Sequence, residues 1–360
     1  MSNVNGTMAA LVLHAPNKFS VDKVDIPKPG PMELLCRVDA AMICGTDPHI
    51  IKGEYPGFWP KAFPHVLGHE WAGTVVGVGE GANLFGWEPG DRVAGTSHVG
   101  CGYCMMCRRG RYNLCENYGD TTRFHKHYGH NYTGCYAEYV VHSVKSVIRI
   151  PDEMPIEIAA AIDPVSIAMH TAKRANIRPG DDVVILGSGS MGLFALQCVK
   201  VLGAGSVIVV GSGQRLETAK AVGADEVVDY RKTDVVEEIL KMTGGRGVPS
   251  VIECAGTPQS IQNSVEVTFK GGTISIIGIP IEPVALNVKK LVLDEIDFRG
   301  ARANQNEQEE VVPLMLDGRI DAKTLITHTY HLQKFEAALD TFLTRKDGAV
   351  KVVIDPHGAL

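Results

Sequence analysis

Val183-Val184-Ile185-Leu186-Gly187-Ser188-Gly189-Ser190-Met191-Gly192 is the stretch that decides how this 360-residue chain folds. Four apolar residues in a row read as a buried strand, the next six fit G-x-G-x-x-G, and Leu193 to Leu202 continue as a helix. In that frame the three glycines serve different ends. The first permits a tight turn, the second lets a pyrophosphate approach the backbone, and the third allows helix and strand to pack closely. The helix N-terminus adds positive partial charge. A dinucleotide site over Gly187, Gly189, Met191 and Gly192 is the expectation.

Outward from this point the same rhythm repeats. Strand-like runs at Val207 to Val210, Val251 to Glu253 and Thr273 to Ile277 alternate with helix-like stretches at Leu216 to Val222, Val235 to Thr243 and Gln259 to Phe269. This alternation predicts an α/β domain with a doubly wound parallel sheet over residues 161–300. Before it, short β-like runs at Ala10 to Leu13, Leu34 to Val38, Gly73 to Val78 and Tyr136 to Val141 are broken by turns such as Glu88-Pro89-Gly90-Asp91, the texture of a small all-β unit with long loops. After Gly300 the pattern loosens, and the tail is expected to pack back onto the first unit. The expected division is therefore 1–160 with 301–360, and 161–300.

Composition narrows the partners. The chain is 45% apolar and 21% charged, with 35 Lys+Arg against 41 Asp+Glu and a net charge of −6. That excludes a disordered chain and gives no basic surface for nucleic acid or membrane, so a small-molecule partner is expected. The polar start and the lack of a long apolar run predict a soluble, cytoplasmic protein without a membrane span.

The strand Val207 to Val210 runs into Gly211-Ser212-Gly213-Gln214-Arg215, and no carboxylate occurs between Asp182 and Glu217. An acid there would bind the ribose 2′-hydroxyl of NAD; its absence, room at Gly211, and Ser212 and Arg215 as phosphate contacts favour NADP. The alternative is NAD bound without the acid, with Arg215 a solvated helix residue.

Nine cysteines are present, four of them crowded as Cys101-x2-Cys104-x2-Cys107-x7-Cys115. This spacing lets one loop wrap a tetrahedral Zn²⁺, with all four positions closed and hence no chemistry; two disulfides or unliganded thiols are the alternative. A dispersed set, Cys44-Gly45-Thr46-Asp47-Pro48-His49, Gly68-His69-Glu70 and Asp163-Pro164, offers a thiolate, an imidazole and carboxylates. Three such ligands would leave the fourth zinc position open, as catalysis requires.

In this order and at these separations, the segments resemble the zinc-containing medium-chain dehydrogenases/reductases, the alcohol dehydrogenase-like superfamily, and Asp163-Pro164 with Cys44-Gly45-Thr46-Asp47 resembles its sorbitol and threonine dehydrogenase branch. The resemblance covers essentially the whole chain. It implies a GroES-like β-rich catalytic domain beside a Rossmann domain, and two Zn²⁺ per chain. The catalytic ion would sit on Cys44, His69 and Asp163, with the catalytic Glu70 either beside these ligands or a transient fourth one, and the structural ion on the four-cysteine loop. It implies Thr46 as the hydroxyl bonding the substrate oxygen, His49 as a proton relay, His98 at the substrate, Ile277 beside the nicotinamide and Lys351 at the pyrophosphate; Trp59, between the two ligand segments, reads from the sequence itself as an apolar wall of the substrate pocket. The alternatives are a strand-end hydroxyl for Thr46, an exposed residue without a role for His49, a structural histidine for His98 and core packing for Trp59. The reaction implied is hydride transfer between NAD(P) and a secondary alcohol, polyol or hydroxy amino acid. A zinc-free quinone or enoyl reductase of the same superfamily, or a non-catalytic nucleotide-binding protein, are the competing readings. A homodimer or homotetramer, paired through Thr273 to Leu286, is also implied. The stretch Thr121 to Tyr132, carrying His125, His127 and His130, departs from the family's pattern and reads as a solvated loop, the alternatives being an extra metal or an anionic substrate.

Overall fold

A computed structural model describes residues 4–360 and divides the chain into two units, one running to Asp163 and resuming at Ile326–Leu360, the other Pro164–Leu325.

In the second unit, six strands hydrogen-bond in the order Glu226–Asp229, Val207–Gly211, Val183–Leu186, Val248–Glu253, Thr268–Ile276, Asp297–Gly300, and every pairing is parallel. The central strands Val183–Leu186 and Val207–Gly211 are buried throughout. Strands covered on both faces read as unbroken apolar runs, which makes them plain in the sequence. Val184, Leu186, Ile208, Val210, Val251 and Ile274 meet Val235, Ile239 and Val265 of the helices Val235–Met242 and Pro258–Glu266 in one core. The sequence reading extends the latter helix to Phe269; the structure ends it at Glu266 and starts a strand at Thr268.

The second unit continues to Leu325, beyond the expected boundary at 300. Lys173 pairs with Glu310, His170 with Glu307, and Gln197 Nε2 donates to the Asp321 carbonyl, so the helix Gln308–Leu316 belongs to this unit. The weak periodicity after Gly300 conceals these side-chain ties.

The first unit is built mainly on antiparallel pairing, with one parallel pair between Ile326–His331 and Lys351–Asp355. Glu33–Met42 lies between Glu70–Val78 and Lys351–Asp355 and also pairs with Tyr139–Ser143; Arg92–Gly95 and Val147–Arg149 extend one edge, Ile326–His331 the other. Leu34, Cys36, Val38, Trp71, Val75, Val93, Tyr136, Val140, Val352 and Ile354 form its core. The last strand thereby joins the tail to the first unit, and the registers Met42↔Glu70 and Val353↔Met42 bring three distant segments together.

Candidate active site and dinucleotide site

Those registers build the first cluster. Two residues past Met42 lies Cys44, one residue before Glu70 lies His69, and Lys351 enters from the returning strand. Ligand atoms of Cys44, His69 and Glu70 lie within 4.8 Å of one another. Gly68 sits at φ 94°, and a Cβ there would lie 2.7 Å from the Tyr136 ring, so the approach to His69 needs glycine. Tyr136 Oη in turn lies 2.6 Å from Asp47 Oδ2 and 2.8 Å from the Met42 carbonyl, while the Cys44 N–H donates to Asp47 Oδ2 at 2.8 Å. Sequence reasoning gave Asp47 and Tyr136 no role; Asp47 stood within the quoted motif, but Tyr136 carried no signal.

The donor set fits a zinc ion. Burial first, then the Glu70 carboxylate, push the Cys44 thiol well above its ordinary range, while Lys351 and the Thr46 hydroxyl pull it the other way. A divalent cation reverses that balance and holds the sulfur as thiolate. His69 Nδ1 is buried with no hydrogen-bond partner, 3.8 Å from Asp47 Oδ1. Glu70 is fully buried and ion-paired to Lys351, whose Nζ also donates to the Ile43 carbonyl at 3.2 Å. Lys351 is 1% exposed, so its expected contact with a pyrophosphate is corrected: the charge serves Glu70.

Asp163 is not in the group of three. It is 1% exposed, and its Oδ1 accepts the Ser97 N–H at 3.2 Å. It nevertheless shares the neighbourhood, because burial, then Asp47, Glu70 and Asp163, push the Cys135 thiol far up. Thr46 is half-buried just before the helix Asp47–Lys52, and His49, on that helix, is ion-paired with Glu54 and partly exposed.

His98 and Trp59 are buried, 5% and 7% exposed, among rings rather than in solvent. The reading of 121–132 as a solvated loop holds for Thr121 to Phe124, which are exposed, and is overturned for the histidines: His125, His127 and His130 are at most 3% exposed. His130 stacks on His127 and lies 4.5 Å from His69. Charge and polarity misled the reading, since neutral imidazoles stack like other aromatic rings.

The four-cysteine loop is closed. Sulfurs of Cys101 and Cys107 lie 3.8 Å apart and those of Cys104 and Cys115 3.9 Å, far beyond a disulfide and equal to the edge of about 3.8 Å that a tetrahedron of Zn–S bonds of about 2.3 Å possesses. Backbone N–H groups of Cys104 and Cys107 donate to Cys101 and Cys104 sulfurs, and Asn117 Nδ2 to Cys101. Burial opposes it, yet the Cys104 and Tyr103 N–H groups, Asn117 Nδ2 and the Cys115 thiol hold the Cys101 thiol down at about 6.

In the second unit, Gly189 caps the helix Ser190–Val201 without a side-chain cap. A Cβ on Gly189 would meet nothing within 4 Å, whereas one on Gly192 would lie 1.8 Å from the Gly187 carbonyl. The fold needs the third glycine; the open backbone at the second fits a pyrophosphate. Met191 and Ile277 are half-buried. Ser212 follows the strand Val207–Gly211 and Arg215 lies on the helix Gln214–Ala221; both are buried, with Ser212 Oγ 3.3 Å from Tyr230 Oη. The expected room at Gly211 is filled: its Cβ would lie 2.1 Å from Ser188 Oγ. Glu253, missed in the sequence, is fully buried at the end of Val248–Glu253 and accepts from the Ala255 and Gly256 N–H groups and Ser260 Oγ. Its only sequence signal was an acid closing a buried strand.

Comparison with known proteins agrees with this geometry. Residues 30–152 match the alcohol dehydrogenase GroES-like domain and 190–317 the zinc-binding dehydrogenase family. Sorbitol dehydrogenase of Bacillus subtilis is 33% identical over 97% of this chain and 98% of its own, and L-threonine 3-dehydrogenase of Deinococcus deserti 32% identical over 92% and 94%. Among solved structures, a zinc-binding dehydrogenase of Sinorhizobium meliloti bound to NADP superposes with TM-score 0.88 at 32% identity, covering 98% of this chain and 100% of that one. An Escherichia coli alcohol dehydrogenase complexed with NADH gives 0.88 at 29%, covering 97% and 99%. The chain belongs to the zinc-containing medium-chain dehydrogenase/reductase superfamily, alcohol dehydrogenase-like, in its sorbitol and threonine dehydrogenase branch. It is an NAD(P)-linked dehydrogenase of the polyol and alcohol class, with zinc and a nicotinamide dinucleotide as cofactors and a small-molecule alcohol as substrate. Among the described residues, no helix is long and apolar enough to cross a membrane.

Proposed function

We propose that the protein is a zinc-dependent dehydrogenase that interconverts a secondary alcohol, polyol or hydroxy amino acid with its ketone, holding two zinc ions per chain. The observation that carries this reading is the convergence of ligand atoms of Cys44, His69 and Glu70 within 4.8 Å of one another. Cys44, His69 and Asp163 are the proposed catalytic ligands. Glu70 is the weaker candidate because its charge is already matched by Lys351. A zinc ion held by these residues would supply Lewis acidity to a substrate hydroxyl, and a bound nicotinamide dinucleotide would supply the hydride acceptor. Thr46 Oγ1 is proposed to accept the substrate's hydroxyl proton in a hydrogen bond, and His49, tied to Glu54 and partly exposed, to carry it to water.

NADP is the proposed dinucleotide. The support is the lack of a carboxylate between Asp182 and Glu217 and the presence of Ser212 and Arg215. Exposed Ile279, Ile281, Val288, Val292 and Leu293 support a homodimer or a tetramer of dimers. Nine free thiols suit a reducing cytoplasm.

The test compares Asp163→Asn and Glu70→Gln for zinc content and for NAD(P)H formation with sorbitol, threonine and secondary alcohols. Loss of one zinc and of turnover in Asp163→Asn, with zinc kept in Glu70→Gln, is the expected result. The reverse pattern would transfer the ligand role to Glu70.

A further inference from the structure

Tyr136 is bonded to both chain segments that carry the candidate ligands. Its N–H donates to the Leu67 carbonyl at 2.9 Å, and the Cys135 N–H to the Gly68 carbonyl at 2.9 Å, which seats the ring against Gly68, one residue before His69. The side chain, fully buried, then reaches the other segment: Oη lies 2.8 Å from the Met42 carbonyl and 2.6 Å from Asp47 Oδ2. A phenol has one proton to give, and a carbonyl and a carboxylate can only accept. Asp47 takes it, because the contact is the shorter and a hydrogen bond to a carboxylate the stronger.

The two oxygens of Asp47 are thereby divided between two tasks. Oδ2 accepts from the phenol and from the Cys44 N–H at 2.8 Å. Oδ1 faces His69 Nδ1 at 3.8 Å, and among the described residues neither of these buried atoms has a hydrogen-bond partner. A histidine that binds a metal through one ring nitrogen turns the other toward an outer acceptor, which fixes the ring and raises its basicity. Asp47 Oδ1 occupies that place for His69. What holds Asp47 therefore holds the ligand. The Cys44 N–H is main chain and would be there with any side chain, whereas the phenol is supplied by one residue, and phenylalanine would fill the same space without it.

We propose that Tyr136 is a positioning residue for the candidate zinc site: its hydroxyl fixes Asp47 so that Oδ1 stays aimed at His69 Nδ1, and so sets how tightly His69 holds the ion. The inference rests on the zinc reading of Cys44 and His69 and adds to it a residue that is itself no ligand.

Tyr136→Phe tests it, because the ring and its packing 5.0 Å from Phe335 are kept and only the hydroxyl is removed. The metal-loaded protein is titrated with a chelator, and the zinc remaining per chain is read. In Tyr136→Phe one zinc should leave at about tenfold lower chelator concentration, the lower end of what loss of an outer partner costs, while release of the four-cysteine zinc is unchanged. With Co²⁺ in place of the weaker-held zinc, the visible absorption bands should shift, which a change in packing elsewhere would not cause. In the Asp47→Asn background the same substitution should add no further loss. Additive losses would mean that the phenol does not act through Asp47, and would overturn the proposal, as would unchanged release and unchanged cobalt bands in Tyr136→Phe. Should Tyr136→Phe fail to fold, 3-fluorotyrosine, which keeps the hydroxyl and makes it a stronger donor, should shift the cobalt bands of the parent chain but not those of Asp47→Asn; equal behaviour of the two would count against it. A parent chain that holds zinc only on its four-cysteine loop removes the zinc reading and the proposal together, and its metal content shows this before any variant is made.

Discussion

Gly189 and Gly192 stand three residues apart in one turn and answer to different constraints. At Gly192 a side chain would strike the Gly187 carbonyl at 1.8 Å, so Gly192→Ala should destabilise the second unit by roughly 1–3 kcal/mol or more, read as a lower melting temperature. At Gly189 there is open space, so Gly189→Ala should leave the melt within about 0.5 kcal/mol of the parent while raising the dinucleotide KM. Equal melting losses in the two variants would mean that the open backbone is not a binding surface. Ribose recognition is better probed at Arg215 than at Gly211, because a Gly211 substitution must first displace Ser188. Arg215→Gln should raise the KM for NADP more than that for NAD; equal changes would remove Arg215 from 2′-phosphate recognition.

At the scale of elements, the four-cysteine loop is held by whatever its sulfurs share, since its helices Met105–Arg108 and Tyr112–Leu114 are only single turns. Cys107→Ser should release one zinc per chain and lower the melting temperature without removing the other zinc; unchanged metal content would mean the loop stands on hydrogen bonds alone. Acid sensitivity belongs to the first unit's buried histidines. Burial depresses His142, which accepts from Trp71 Nε1, to about 3, and His65 to about 4. Their folded values lie below the ordinary 6.5, so between those limits the unfolded chain binds more protons. The stability they confer is therefore complete above about pH 6.5 and is lost as pH falls toward 4 and then 3, each unit of depression being worth about 1.4 kcal/mol. Chemical denaturation at pH 7.5, 6 and 5 should show this fall, and His142→Gln should flatten it; parallel curves would contradict the assignment.

Across the whole molecule, what the sequence disclosed follows from the range of the interaction concerned. The parallel sheet was legible because Val183–Leu186 and Val207–Gly211 are buried on both faces and leave unbroken apolar runs. Candidate metal-ligand residues stood out because zinc chemistry favours Cys, His and carboxylate, and the structure brings Cys44, His69 and Glu70 together. Long-range pairing was not. Nothing local marks that Lys351 would neutralise Glu70, 281 residues away, or that Tyr136 would brace Asp47. The histidine stack was hidden for another reason: polarity suggests solvent for His125, His127 and His130, and only the ring geometry shows them packed as aromatics. The unit boundary at Leu325 likewise depends on contacts such as His170 with Glu307 that no periodicity records.

The central claim is that this chain carries one closed and one reactive zinc and uses the latter for hydride transfer. Its most direct test is elemental analysis of zinc per chain, on protein whose absorbance at 340 nm is followed with NAD⁺ or NADP⁺ and a panel of polyols, secondary alcohols and threonine. Two zincs and reduction of one dinucleotide, with turnover abolished and one zinc lost in Cys44→Ser of unchanged fold, is the predicted result. One zinc in the parent protein, held by the four-cysteine loop, with no turnover of any alcohol, would contradict it.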